Sequence, residues 1–224
     1  MTASRLSVAD AFSERAVRRE GDRELPLGPK ARRTRAAILD AAARLFTEQG
    51  YQATSVADVA TAAGVSLGTV YQYFRDRSDL VAALLQAQVT RMLGQTDTRW
   101  RASEGRVGLY RVLHNFVASY AERAPMSRVW EEVCHFDDDL ADLRRTLSRV
   151  FTGVVARELR RAAREGLLRD DLDPDLAATA LAGMVDRYCY VTYVFDPPEA
   201  GPPTPEESAE LLTELWASAI GLST

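Results

Sequence analysis

The sequence predicts an all-α protein, with a small N-terminal domain of short helices and a larger helical domain after it. Three observations carry this. Apolar residues recur at helical spacing far more often than in strand-like alternation, in a chain rich in Ala, Leu and Arg. Helix punctuation repeats: a Ser, Thr or Asp precedes most periodic segments, and a Gly or Pro follows. Finally, Thr54 to Leu80, TSVADVATAAGVSLGTVYQYFRDRSDL, reads as two short helices joined by a tight turn.

The elements follow in order. Residues 1–31 are polar, mix Arg15, Arg18, Arg19 and Arg23 with acids, and close in Leu-Pro-Leu-Gly-Pro. Pro26, Gly28 and Pro29 argue against a helix there, so a flexible extension is expected, either a solvated tail or a basic arm reaching DNA. The first helix is expected from about Arg33 to Gln49, with Ile38, Ala42, Leu45 and Phe46 inward and Gly50 at its end. Ser55 caps the second helix and Asp58, three residues on, completes a capping box. Val56, Val59, Ala60 and Ala63 mark its buried face, and Gly64 suits a left-handed end. Ser66 caps the third helix. Asp76 and Asp79 start a fourth, continuing through Leu80 and Leu84 to about Trp100. Further helices are expected from Glu104 to Ala124, stopped by Pro125, around Val129, Trp130 and Val133, and from Asp137 to Glu165, ended by Gly166. Asp173-Pro174 opens the next, which runs to about Phe195. After the breaker DPPEAGPPTP, Thr204-Pro205-Glu206-Glu207 starts the last.

The third helix is unsuited to burial. Val70 and Phe74, four apart, face inward; Ser66, Gly68, Thr69, Tyr71, Gln72 and Tyr73 face largely outward. Hydroxyls, an amide and a glycine that permits close approach suit the major groove, where donors, acceptors and a thymine methyl are met at short range. The two helices and their turn are expected to form a helix-turn-helix.

The segment from about Arg32 to Gln88 resembles the DNA-binding domain of the TetR family of transcriptional regulators. The run TRAAILDAAARLFTEQGYQATSVADVATAAGVSLGTVYQYFRDRSDLVAALL carries the family's Ile-Leu-x-Ala-Ala helix, Phe before Gly, Thr-Ser pair, Ala-Gly-Val-Ser and Gly-Thr-x-Tyr-x-x-Phe without a gap. It departs at one position, where the family's Lys is Arg77; a guanidinium there keeps the charge and suits a forked grip on phosphate. The resemblance implies three domains: an extension over 1–31, a DNA-binding domain over 32–92 with its motif at 55–74, and a helical ligand-binding and dimerisation domain over 93–224. It implies DNA contacts from Arg33, Thr54, Ser55, Ser66, Leu67, Gly68, Thr69, Tyr71, Gln72, Tyr73 and Arg77.

In the family the last two helices pair with their mates as a four-helix bundle about a two-fold axis. Leu181, Leu211, Leu212, Leu215, Trp216 and Ala219 are the candidates here, although such a stripe also packs on its own subunit. A homodimer matches a palindromic double-stranded operator, because one recognition helix reads only a few base pairs. The resemblance further implies repression, relieved by an apolar or amphipathic small molecule. Its candidate contacts are Trp100, Tyr110, His114, Phe116, Tyr120, Trp130, Phe136, Met184, Tyr188 and Tyr193, aromatic and Met side chains of the kind that line such pockets. A regulator of this fold without an inducer, or a carrier or enzyme that lost DNA binding, remains open.

Composition agrees. The 224 residues carry a net charge of -4, unexpected for a DNA binder until the chain is divided. Residues 1–85 hold twelve Lys+Arg against ten Asp+Glu, the remainder sixteen against twenty-two, so +2 faces -6. Lys30, Arg32, Arg33, Arg35, Arg75 and Arg77 place positive charge beside the motif, where phosphate contacts supply non-specific affinity. Cys134 and Cys189 stand far apart without a CxxC or Cys/His pattern, against a disulfide framework or a zinc site. Cys134-His135-Phe136-Asp137-Asp138-Asp139 groups possible ligands, but acids before a helix complement its dipole and no second His stands at ligand spacing. No metal or other cofactor is expected. No nucleophile elbow, phosphate loop or dinucleotide fingerprint appears, so no catalytic residue is named. No apolar run nears the ~20 residues of a membrane span and no secretion signal is evident, so a cytoplasmic location is expected.

Overall fold

The computed structural model describes residues 28–94 and 100–222. Most of the expected N-terminal extension, 1–27, lies outside the described residues, as do residues 95–99 of the expected fourth helix. The described residues form nine α-helices and no strand. They are α1 (Pro29–Gln49), α2 (Val56–Ala62), α3 (Leu67–Tyr73), α4 (Arg77–Gly94), α5 (Gly105–Glu122), α6 (Ala124–Cys134), α7 (Asp138–Arg164), α8 (Pro174–Tyr190) and α9 (Pro205–Ile220). A 3-10 turn, Ala102–Glu104, precedes α5, and a π-helical turn, Val191–Phe195, follows α8.

Two prolines are used differently from the expectation. The first helix begins at Pro29, not Arg33, with Gly28 as its N-cap. Proline at the first helical position lacks only an N–H that would be unbonded there, and its fixed φ already fits the helix. Arg32 and Arg33 are therefore helical, and the Arg32 amide donates to Gly28 O at 3.0 Å. Likewise Pro125 sits in the opening turn of α6, besides marking where α5 stops.

The chain divides into two compact units. One comprises residues 28–91 and 128–147; the other comprises 92–94, 100–127 and 148–222. Residues 128–147 cluster with the N-terminal helices.

In the first unit α1 buries Ile38, Leu39, Ala41, Ala42, Leu45 and Phe46, a stripe at helical spacing. Val59 and Ala60 of α2, Val70 and Phe74 at α3, and Leu80 and Val81 of α4 are buried with it. Each large apolar side chain so removed from water contributes about 1.5–3 kcal/mol. Gly50, at φ +88°, ends α1 in a conformation that L side chains rarely adopt. On the 128–147 segment Val129, Val133, Leu140 and Leu143 are buried, and Glu131 pairs with Arg144 at 2.5 Å, joining α6 to α7.

The second unit is organised around α5 and α9. Leu109, Leu113 and Val117 of α5, Leu159 and Ala162 of α7, Leu181, Val185 and Cys189 of α8, and Leu212, Trp216 and Ile220 of α9 form one buried cluster. Trp100 joins it, edge-on to Trp216 with ring centroids 6.4 Å apart. Asp173 caps α8 through the amides of Asp175 and Leu176, and Thr204 with Glu207 makes a capping box on α9. Among the described residues no helix is long and apolar enough to cross a membrane.

Candidate nucleic-acid interface

The helix-turn-helix is assembled by local chemistry. Ser55 Oγ accepts the Asp58 amide at 3.1 Å while the Asp58 carboxylate accepts the Ser55 amide at 2.8 Å, satisfying donors that the start of α2 leaves open. Gly64 takes φ +67° in the turn. Ser66 Oγ then accepts the Thr69 amide at 3.1 Å and lies 2.8 Å from Thr69 Oγ1, opening α3.

With Val70 and Phe74 buried, α3 presents Ser66, Leu67, Gly68, Tyr71 and Gln72 to solvent; Thr69 and Tyr73 are half-buried. Tyr71 is 52% exposed and Leu67 42%. Gly68 has no internal reason to be glycine. A Cβ there would meet only Ser66 Oγ at 3.8 Å, although glycine costs a helix about 1 kcal/mol relative to alanine. Lys30 and Arg33 are exposed on the first turns of α1. Arg35 is half-buried with its guanidinium 5.2 Å from the Phe74 ring centroid, and burial lowers its pKa.

One expected contact, Thr54, is corrected, and a second, Arg77, has a structural role of its own. Thr54 is fully buried, and its hydroxyl donates to Gly50 O at 2.9 Å, so the side chain closes the loop after α1 and is not offered to DNA. Thr54→Val is expected to cost about 1 kcal/mol of stability, read by urea unfolding, with operator affinity otherwise retained. Arg77 also turns inward: its Nη1 donates to the carbonyls of Tyr51, Gln52 and Thr54 at 3.0, 3.2 and 3.1 Å. Its guanidinium lies 4.7 Å from the Tyr51 ring centroid. Nothing in the spacing of the sequence distinguished this latch from a phosphate grip.

The effector candidates divide between the units. Tyr110, Phe116, Tyr120, Met184, Tyr188 and Tyr193 are half-buried and pack against the core of the second unit, beside Trp100. Tyr110 stacks on His114 at 5.8 Å, and His114 Nε2 lies 3.1 Å from Glu206 Oε1. The Tyr188 and Tyr193 hydroxyls meet buried Ser208 Oγ at 3.0 and 2.8 Å, and burial raises the Tyr193 pKa. Trp130 and Phe136 instead belong to the first unit, and Phe136, just beyond the end of α6, is 68% exposed. A groove of about 460 Å³ runs between α5 and α9, lined by Arg106, Val107, Tyr110, Glu210, Thr213 and Glu214; of the expected residues it includes Tyr110.

Among the dimer candidates the structure separates two sets. Leu181, Leu212 and Trp216 are in their own protomer's core, so they are corrected from the interface. Leu211, Leu215 and Ala219, successive at four-residue spacing, are exposed. Burial pushes the thiols up, Cys134 to about 11 and Cys189 to about 12, so both stay protonated near neutrality.

Two capped helices around a glycine turn, with the second helix turned outward, define a helix-turn-helix DNA-binding protein on an all-helical frame. The chain belongs to the TetR family of bacterial regulatory proteins. Residues 38–84 match the family model described as "Bacterial regulatory proteins, tetR family". The chain is 32% identical over 170 residues to the HTH-type transcriptional regulator TtgR of Pseudomonas putida, covering 70% of this chain and 79% of that one. It is 29% identical over 157 residues to the HTH-type transcriptional repressor KstR2 of Rhodococcus jostii, covering 67% and 74%. Its fold is similar to that in the SmeT-Triclosan complex, with TM-score 0.63, 24% identity, and coverage of 83% of this chain and 90% of that one. The protein is a DNA-binding transcriptional regulator.

Proposed function

We propose that the chain acts in the cytoplasm as a homodimeric repressor that reads a palindromic operator with α3 and leaves it when a small apolar or amphipathic molecule binds the second unit. The observation that carries this is the outward face of α3. Leu67, Gly68, Tyr71 and Gln72 are exposed, and a Cβ at Gly68 would meet only Ser66 Oγ, so the glycine there suits the close approach of another surface. Ser66, Thr69 and half-buried Tyr73 border that face, Ser55 and Arg33 stand exposed for phosphates, and Lys30 adds positive charge.

The dimer reading rests on Leu211, Leu215 and Ala219, with exposed Leu176, Val191 and Phe195 on α8 and its π-turn. Two helices offering apolar faces to solvent suit burial against a second copy. The effector reading rests on the half-buried aromatic and Met side chains of the second unit, and on a structural neighbour solved as a complex with triclosan. Linkage requires only that the molecule bind the DNA-incompetent state more tightly.

The test is a mobility shift with DNA upstream of the protein's own gene, against competitor DNA and across a salt series. Tyr71→Ala is expected to weaken the specific complex about tenfold to a hundredfold, the scale of one lost base contact, with thermal stability unchanged. Equal affinity for the variant and the wild type would remove α3 as the reading element.

A further inference from the structure

Tyr51, the residue after the glycine that ends α1, is held at every polar point it has. Its carbonyl accepts from Arg77, and its hydroxyl lies 3.2 Å from Ser78 Oγ. Its ring packs 5.6 Å from Phe46. Its amide donates to Glu132 Oε2 at 3.3 Å, and the next amide, of Gln52, donates to Glu132 Oε1 at 3.4 Å. Opposite charges therefore grip the two kinds of backbone group in one loop, the guanidinium of Arg77 its carbonyls and the carboxylate of Glu132 its amides.

The two grips differ in origin. Arg77 opens α4, next to the helix-turn-helix in sequence. Glu132 lies on α6, 81 residues from Tyr51, within the segment that packs with the first unit. Its neighbour Glu131 pairs with Arg144 of α7, so adjacent acids on one helix hold two different elements. The loop they fix leads directly to Ser55, the cap of α2. At 3.3 and 3.4 Å the Glu132 bonds are already beyond the usual 2.7–3.2 Å range, so a shift of α6 by less than about an ångström would break them.

We infer that Glu132 is a positioning residue for operator binding: through the Tyr51 and Gln52 amides, α6 sets the pose of the α1–α2 loop and of the helix it starts. The inference rests on the operator-binding reading above and deepens it, by naming the contact through which a change in α6 reaches the helix-turn-helix.

The experiment compares the full-length wild type with Glu132→Ala, Glu132→Gln and Glu131→Ala. The readouts are hydrogen–deuterium exchange of the peptide containing Tyr51 and Gln52, affinity for the operator by fluorescence anisotropy, and melting temperature. Glu132→Ala is expected to speed exchange at those two amides and to weaken operator binding, each about tenfold, the scale of one lost hydrogen bond to a charged group, without a matching fall in Tm. Glu132→Gln keeps an acceptor oxygen and recovers part of both. Glu131→Ala, which cuts only the α6–α7 pair, changes neither. Unchanged exchange at Tyr51 and Gln52 in Glu132→Ala would overturn the clamp. Affinity losses that simply follow Tm across all three variants would reduce Glu132 to a stabilising contact and overturn its positioning role. A wild type that binds no specific DNA sinks the operator reading instead, and the exchange result then judges the clamp alone.

Discussion

Arg77→Ala is expected to destabilise the first unit by about 2–3 kcal/mol, measured as a lower urea midpoint. The variant removes Nη1 from three carbonyls, two of them partly buried, and takes the guanidinium from the Tyr51 ring. Hydrogen bonds from a charged donor and one cation–π contact sum to that order after allowance for partial exposure. Arg77→Lys is expected to restore less than half. An ammonium is a compact, strongly hydrated point charge that neither lies flat on the Tyr51 ring nor keeps the fixed geometry that holds Nη1 against these carbonyls. The same variants decide between a latch and a phosphate grip. A lost phosphate contact lowers the slope of log affinity against log salt by about one, whereas a lost latch weakens binding at an unchanged slope. The geometry gives the second result. A wild-type urea midpoint together with a reduced salt slope would return Arg77 to the DNA surface.

Structure that is set within a few residues was legible in the sequence. Ser55 with Asp58, Ser66, Asp173, and Thr204 with Glu207 cap the helices expected of them, because a cap needs only a short polar side chain and an amide two or three positions on. Gly64 and Gly166 take the positive φ that a helix end requires. Direction and distance were harder. Thr54 and Arg77 have side chains fit for phosphate, and only the fold shows that backbone carbonyls claim them first. Glu132 carried no signal at all, since its partners are 80 and 81 residues away and are backbone groups without sequence identity. Phe136 is a pocket candidate for its aromatic ring alone, and it falls just beyond the end of α6, where it is 68% exposed. On α9 the apolar stripe is wide enough that adjacent leucines meet different surroundings: Leu212 is fully buried and Leu211 is 48% exposed. A step of about 100° along the helix separates them, and hydropathy alone gives both the same meaning.

That separation sets the largest effect expected of a single change. Leu215 is 47% exposed between Leu211 and Ala219, while Leu212 and Trp216 on the adjoining face hold the protomer's own core. Leu215→Arg therefore leaves the core intact and charges the face proposed to meet the second copy. A two-fold axis doubles every substitution, so in the proposed dimer two guanidinium groups enter one interface. Burying unpaired like charges costs several kcal/mol, enough to shift a dimer constant about a thousandfold or more. Sedimentation at micromolar protein is expected to show a monomer with the helical content of the wild type. Operator affinity is expected to fall at least about a hundredfold, because a lone α3 reads one half-site and loses the gain from linking two. A half-site duplex would then bind the variant and the isolated wild-type protomer alike, which separates loss of pairing from loss of reading. If Leu215→Arg remains dimeric with full operator affinity, α9 is not the dimer helix, and the exposed Leu176, Val191 and Phe195 become the face to charge next.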